Sequence, residues 1–316
     1  MSVYTLDIDS SERDPVSYPN PGDYVVELRH PIYDVKKLSI VSARIHASQL
    51  LVNDNNNTFS INNTINNTIN TAIITLDNGN YSGRTLATEL DSKLPGGITS
   101  SYDKDKNDIT FTGSSEFTFN FYGGTNGYHS SVAVDGKTTP HDILGLPASN
   151  VTSTNNTLTT GSVNLQGPDA LVIKISNGAD ELNKTVYSDT PFYTGRILMC
   201  GDVINYSGSD DAVEHNFDTG TQNISKLRIQ FFYSSNNRLI PYDFRNANHI
   251  LKLNIECSTD KLYTTPKVVK DFSLPPPVRI PEMEDPDRWK GYVYIFLIVF
   301  VGLAFILLTR PKKISE

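Results

Sequence analysis

The sequence predicts a mainly β chain: an antiparallel two-sheet sandwich, an α+β insertion within it, and one membrane-spanning helix near the C-terminus. Three observations predict this. Short runs of β-forming residues, broken by Pro, Gly and Asn, fill most of the chain, and the later runs alternate apolar and polar residues with period two. A stretch from about 53 to 146 has a different texture and holds the one soluble segment with helical spacing. The run 291–308, GYVYIFLIVFVGLAFILL, contains no charge and has charges just outside both ends.

The first strands are expected at 4–8, 24–28 and 38–45, with the turn SYPNPGDY at 17–24 excluding any helix between the first two. Between 53 and 70 lies an Asn/Thr/Ile tract that repeats I-N-N-T and reads as an extended loop or an edge hairpin. A helix is expected over 83–94. Leu86, Leu90 and Leu94 form its apolar stripe, and Pro95-Gly96-Gly97 ends it. Strands follow at 98–103, 108–112 and 116–122, the last placing Phe117, Phe119 and Phe121 on one face. Further on, Leu171, Ile173 and Ile175 share a face, as do Leu227, Ile229 and Phe231, and Leu251, Leu253, Ile255 and Cys257. One wet and one dry face per strand is the pattern of a two-sheet sandwich. The expected domain spans 1–265.

Six prolines between 264 and 288 make 266–290 a Pro-rich linker, which favours extended polyproline conformation at about 3.1 Å per residue. The expected transmembrane segment is 291–309, followed by a short basic tail, 310–316. At about 1.5 Å per residue its apolar run spans roughly 27 Å, close to the hydrocarbon thickness of a bilayer. Trp289, Tyr292 and Tyr294 would lie at one headgroup boundary and Arg310 at the other, beside Lys312 and Lys313. With Phe296, Phe300, Phe305 and Leu308 in the span, these residues form the expected membrane anchor. The N-terminus MSVYTLDID lacks the features of a signal peptide, so the domain is expected on the cytosolic side, although the basic tail opposes that orientation.

A net charge of -8 and a pI near 5.3 disfavour a nucleic-acid surface. The two cysteines, Cys200 and Cys257, read as buried free thiols of a reducing compartment. N-x-S/T sequons, among them those starting at Asn56, Asn62, Asn66, Asn150, Asn155, Asn183, Asn205 and Asn223, read as Asn/Thr-rich loops without glycans. No catalytic, cofactor-binding or metal-binding residue is assigned. G-x-S-x-G, G-x-G-x-x-G and H-E-x-x-H are absent, and the six histidines (His30, His46, His129, His141, His215, His249) are not at ligand spacing. Gly136-Lys137-Thr138 lacks the earlier glycine of a phosphate loop, since Ser131 stands there. The acidic cluster of Asp7, Asp9, Glu12 and Asp14 is read as a strand end and turn, with Arg13 neutralising its neighbours, rather than as a Ca²⁺ site. Asp210, Asp211, Glu214 and His215 read as a solvated loop.

The block IDSSERDPVSYPNPGDYVVEL (8–28), with VKKLSIVSARI (35–45), resembles the opening of minor capsid proteins of the nucleocytoplasmic large DNA viruses, the icosahedral viruses of algae among them. Asp9, Arg13 and Asp14 carry the likeness, followed by Tyr18-Pro19-Asn20-Pro21 before an alternating strand. LDNGNYSGRTLATELDSKL (76–94), SYDKDKNDITFT (101–112) and DILGL (142–146) fit the same group in the same order. The resemblance implies a jelly-roll sandwich with a structural, non-enzymatic role in the virion. Its implied partners are the major capsid protein and other minor capsid proteins. With the terminal helix, the expected function is to link the capsid shell to an internal viral membrane, the domain facing the shell, in a protein made in the host cytoplasm. The alternative is a membrane-tethered β-sandwich receptor or glycan-binding module, which glycans on the sequons or a disulfide between the cysteines would favour. A membrane-tethered hydrolase would need a pocket of convergent polar groups.

Overall fold

The computed structural model describes residues 2–65, 68–177, 180–182, 194–199, 203–206, 214–217, 222–258 and 287–309. In chain order the elements are β1 (Ser2–Asp9), β2 (Asp23–His46), β3 (Thr58–Ile65), β4 (Thr68–Thr75), α1 (Gly83–Lys93), β5 (Ile98–Asp103), β6 (Asp108–Gly113), β7 (Phe117–Asn120), β8 (Asn150–Thr152) and β9 (Thr157–Thr159). They continue with β10 (Ala170–Asn177), β11 (Asp180–Glu181), β12 (Gly195–Leu198), β13 (Val203–Tyr206), β14 (Glu214–Asn216), β15 (Gln222–Ser235), β16 (Arg238–Pro241), β17 (Ile250–Cys257) and α2 (Arg288–Leu308). The chain is mainly β and its sheets are antiparallel, as the sequence predicts. Met1–Thr265 and Pro266–Glu316 form separate compact units.

The larger sheet has the order β1-β17-β2-β15-β10-β11, with β12, β13, β14 and β16 pairing alongside. Its organising element is β2. Where the sequence predicts two strands, 24–28 and 38–45, one strand of 24 residues runs through. Its first half pairs with β15 and its second with β17, the change of partner falling at Val35. Between them the ladder slips twice opposite β15, across the segment holding Pro31, which has no N–H to give, and Asp34, at φ 57°. A further register shift opposite Lys252 and Leu253 flips the inward set of β2 from Leu38 and Ile40 to Ala43 and Ile45. These bends let both arms of the sheet close on one core. Leu251, Leu253 and Ile255 from one arm and Leu171, Ile173, Leu227, Ile229 and Phe231 from the other belong to the same buried cluster.

A second core is built between β2 and β10. Sheets β4-β3-β7-β8 and β5-β6-β9 hold it together with α1. The Asn/Thr/Ile tract forms the β3–β4 hairpin, with β4 at the sheet edge. Phe119 is at the centre, its ring 4.9 Å from Phe111, 5.6 Å from Phe59, 5.8 Å from Phe121 and 5.9 Å from Phe117. Helix α1 starts at a capping box of Ser82 and Thr85 and buries Leu86 and Leu90. Gly83 is required there, because a Cβ would lie 2.2 Å from the Tyr102 ring.

Of the predicted Pro-rich linker, 266–290, the part up to residue 286 lies outside the described residues, as do Cys200, Asp210, Asp211, Arg310, Lys312 and Lys313, while its last residues, Arg288, Trp289 and Lys290, are within α2.

Candidate functional sites at the C-terminal helix and the core junction

Helix α2 comprises 21 residues, with a mean hydropathy of 2.7 over its most apolar window and none of that window buried. It starts at Arg288, three residues before the apolar run, and Lys290 pairs with Asp287 at 2.6 Å. Trp289, Tyr292, Tyr294, Phe296, Phe300, Phe305 and Leu308 are all exposed, Leu308 at 84 %. Apolar side chains cover every side of the helix, so no face is left for water. Burying one such side chain is worth about 1.5–3 kcal/mol, and fifteen large ones from Tyr292 to Leu308 are exposed. The sum, tens of kcal/mol, exceeds the whole stability of an ordinary domain, about 5–15 kcal/mol. At about 1.5 Å per residue the helix is roughly 31 Å long, and its backbone bonds are satisfied internally. It is long and apolar enough to cross a membrane.

The second site is the junction between the two cores. The DILGL segment supplies it. Ile143, Leu144 and Leu146 are buried in the second core, and Gly145 turns the chain at φ 66° where a Cβ would sit 2.4 Å from the Ser162 carbonyl. Asp142 then faces the sandwich. Its carboxylate accepts from the Ser235 hydroxyl at 3.0 Å and lies 3.2 Å from Nε2 of buried His141. Burial favours the neutral acid, but those two partners outweigh it and hold Asp142 below the usual carboxylate range. From the β15–β16 hairpin, Arg238 donates to the Gly127 carbonyl at 2.7 Å and to those of Asn126 and Lys137 at 3.4 Å. Its guanidinium lies 4.3 Å from the centre of the Tyr128 ring. The Tyr128 hydroxyl closes the network on Ser235 and Thr138.

The acidic N-terminal cluster is a set of turn caps. Asp9 accepts from the Ser11 N–H, Asp14 accepts from Val16 N–H and the Ser17 hydroxyl, and Asp7 lies 3.6 Å from Lys252. Arg13 does not neutralise these carboxylates, contrary to the sequence reading. Its guanidinium donates to the carbonyls of Ser10, Tyr18 and Pro19 and to the side-chain oxygen of Asn248, so its fork fastens two turns to the loop before β17. Among the described residues no group of His, Cys, Asp or Glu is placed to hold a metal. Two histidines are more buried than loop or strand-face positions imply: His141, and His249 beneath Tyr24, Phe231 and Phe244. A histidine carries no signal of its own burial in sequence. Cys257 is a buried free thiol, its pKa raised by that burial.

The model of a family described as "Family of unknown function (DUF5901)" matches residues 1–178 of this chain. No curated protein matches. Among solved structures, the chain is similar to the mavirus penton protein at 13 % identity and a TM-score of 0.42, covering 81 % of this chain and 100 % of that one. It is similar also to a chain of the Sputnik virophage at 11 % identity and a TM-score of 0.35, covering 81 % and 98 %.

Proposed function

The chain belongs to the DUF5901 family, and we propose that it is a structural protein of a virus capsid that ties the protein shell to an underlying membrane. The observation that carries the membrane half is α2, whose run 291–308 is uncharged and has no buried residue. The capsid half rests on the N-terminal block 8–28 and the ordered motifs at 76–94, 101–112 and 142–146, which lie within the family match at 1–178. Those motifs are assigned structural work by their surroundings: Arg13 fastens turns, Ser82 caps α1, and DILGL joins the cores. The partners on the shell side are the major and minor capsid proteins, and on the other side a lipid bilayer. The role is one of assembly, without catalysis.

The test is fractionation of purified particles. The chain should co-purify with intact virions, stay with the shell and membrane after high-salt washing, and leave only with detergent. Release by salt alone, or absence from particles, would refute the proposal. Glycans on Asn62 or Asn150 would instead place the domain in a lumen and favour a receptor.

A further inference from the structure

A strand at the margin of a sheet offers unpaired N–H and C=O groups to any other strand, and proteins blunt such edges with charge, a cover or brevity. Among the described strands, those at the margins follow this rule with one exception. Strand β1 carries Asp7 and Asp9. Strand β5 is covered by α1, whose Asp91 accepts from the Ser100 N–H. Strands β8, β9, β11, β12, β13, β14 and β16 have four residues or fewer. Strand β4 is the exception. It closes one end of the sheet β4-β3-β7-β8 with eight residues, TINTAIIT, that include no charge, Pro or Gly. We propose that β4 pairs antiparallel with β4 of a second copy of this chain, about a two-fold axis at Thr71.

Three observations select a second copy. The first is the direction of the backbone groups. The Leu76 N–H donates to the Asn57 carbonyl just after β4 ends. Alternate residues of an antiparallel ladder share one partner, so Asn70, Ala72 and Ile74 turn their N–H and C=O towards β3. Ile69, Thr71 and Ile73 turn theirs to the open side. The second is symmetry. About Thr71 the strand reads alike in both directions, so Ile69 stands opposite Ile73 of the second copy, and Thr71 opposite its own equivalent. Each of these residues exchanges both backbone bonds with the residue opposite, as a self-complementary interface requires. The isoleucines, 67 % and 64 % exposed in the single chain, cover one another across the axis. An axis at Ala72 would set both isoleucines against threonines. The third is charge. A chain of net charge -8 repels its copy, and this edge brings no charged residue to the contact. One strand edge buries less than a standard interface of about 1,200–2,000 Å², so the dimer is weak and concentration-dependent. The inference rests on the β domain alone and stands whether or not α2 enters a membrane.

The test is sedimentation velocity of the full-length chain in dodecyl maltoside at rising protein concentration, where a monomer should give way to a dimer. Ile69→Lys with Ile73→Lys should weaken that dimer by roughly tenfold or more, because like charges then stand directly opposite. Both side chains are exposed, so the melting temperature should stay unchanged. Ile69→Glu with Ile73→Glu should act likewise, and an equimolar mixture of the two variants should dimerise again, since the register sets each lysine opposite a glutamate. Thr71→Cys, with Cα atoms about 5.5 Å apart across the axis, should form an intermolecular disulfide under mild oxidation that the native chain does not form. A native chain that stays monomeric up to about 1 mM would overturn the proposal. So would a dimer that persists in the lysine variant, which would assign the contact to α2, or failure of Thr71→Cys to cross-link.

Discussion

At the scale of single residues, His249 shows how burial sets a response to pH. Its ring sits among Phe231, Phe244 and Tyr24, with Nε2 2.9 Å from the Tyr24 hydroxyl and Nδ1 without a partner. Burial, with the Arg13 charge added and only partly offset by Asp9, pushes its pKa down to about 3. The unfolded chain takes up this proton near pH 6.5, whereas the folded chain refuses it until about pH 3. Folding stability is therefore whole above pH 6.5 and falls as the pH drops, by about 1.4 kcal/mol per unit and about 2.7 kcal/mol by pH 4.5. Asp9, held low by the Ser11 N–H, and Asp142 add their own losses only below about pH 4, where unfolded carboxylates protonate. Urea titrations at pH 7, 5.5 and 4.5 should show this slope, and His249→Gln should flatten it at some cost in stability at pH 7. A slope unchanged in the variant would exclude His249 as its source. Arg238 is the second residue to test. Arg238→Ala strips three carbonyls of a donor and uncovers the Tyr128 ring, for an expected loss of about 2–4 kcal/mol. Arg238→Lys should recover only part of it, since an ammonium cannot span the three carbonyls.

At the scale of elements, α1 separates capping from packing. Ser82→Ala should cost about 1 kcal/mol by removing the cap, and Leu90→Ala about 2–5 kcal/mol by opening a hole in the second core. Thermal unfolding of both variants checks the order, and a larger effect of Ser82→Ala would mean that the helix is held by its end. This helix was legible in the sequence because its three leucines and its Pro-Gly-Gly stop agree, whereas the Ser82 cap emerged only with the structure. The strands of the sandwich were legible for the same kind of reason: alternation marks a surface with one wet face, and Leu251, Leu253 and Ile255 are buried while Lys252, Asn254 and Glu256 are not. The continuity of β2 was not legible. Pro31 and Asp34 are turn-forming residues locally, and only the partners β15 and β17 draw them into one bent strand. Strands β8 and β9, three residues each, carry too few positions to show a period, and pairing with β7 and β6 defines them. At the junction, the motif containing Asp142 was legible as a motif. Its partner Ser235 lies some ninety residues away and had no signal, because a serine in a hairpin looks like a surface residue.

At the scale of the whole molecule, both hydrophobic cores are built from residues before Thr265, and none of the apolar window of α2 is buried. Stopping the chain at Thr265 therefore keeps every residue of both cores. A protein of residues 1–265 should be soluble without detergent, β-rich by circular dichroism, and should melt within about 2 °C of the full chain in nanodiscs, since a change of 1 kcal/mol shifts the midpoint of a chain this size by about 2–4 °C. Mixed with phosphatidylcholine vesicles and centrifuged through a density gradient, the full chain should float and the shortened one remain at the bottom. Flotation of the shortened protein would mean that the domain itself carries the membrane affinity, and the exposed Val3, Tyr4, Ile69 and Ile73 would become the residues to change. A shortened protein that aggregates or lacks β structure would mean that the sandwich depends on residues after 265. A soluble domain and a floating full chain would leave α2 as the anchor.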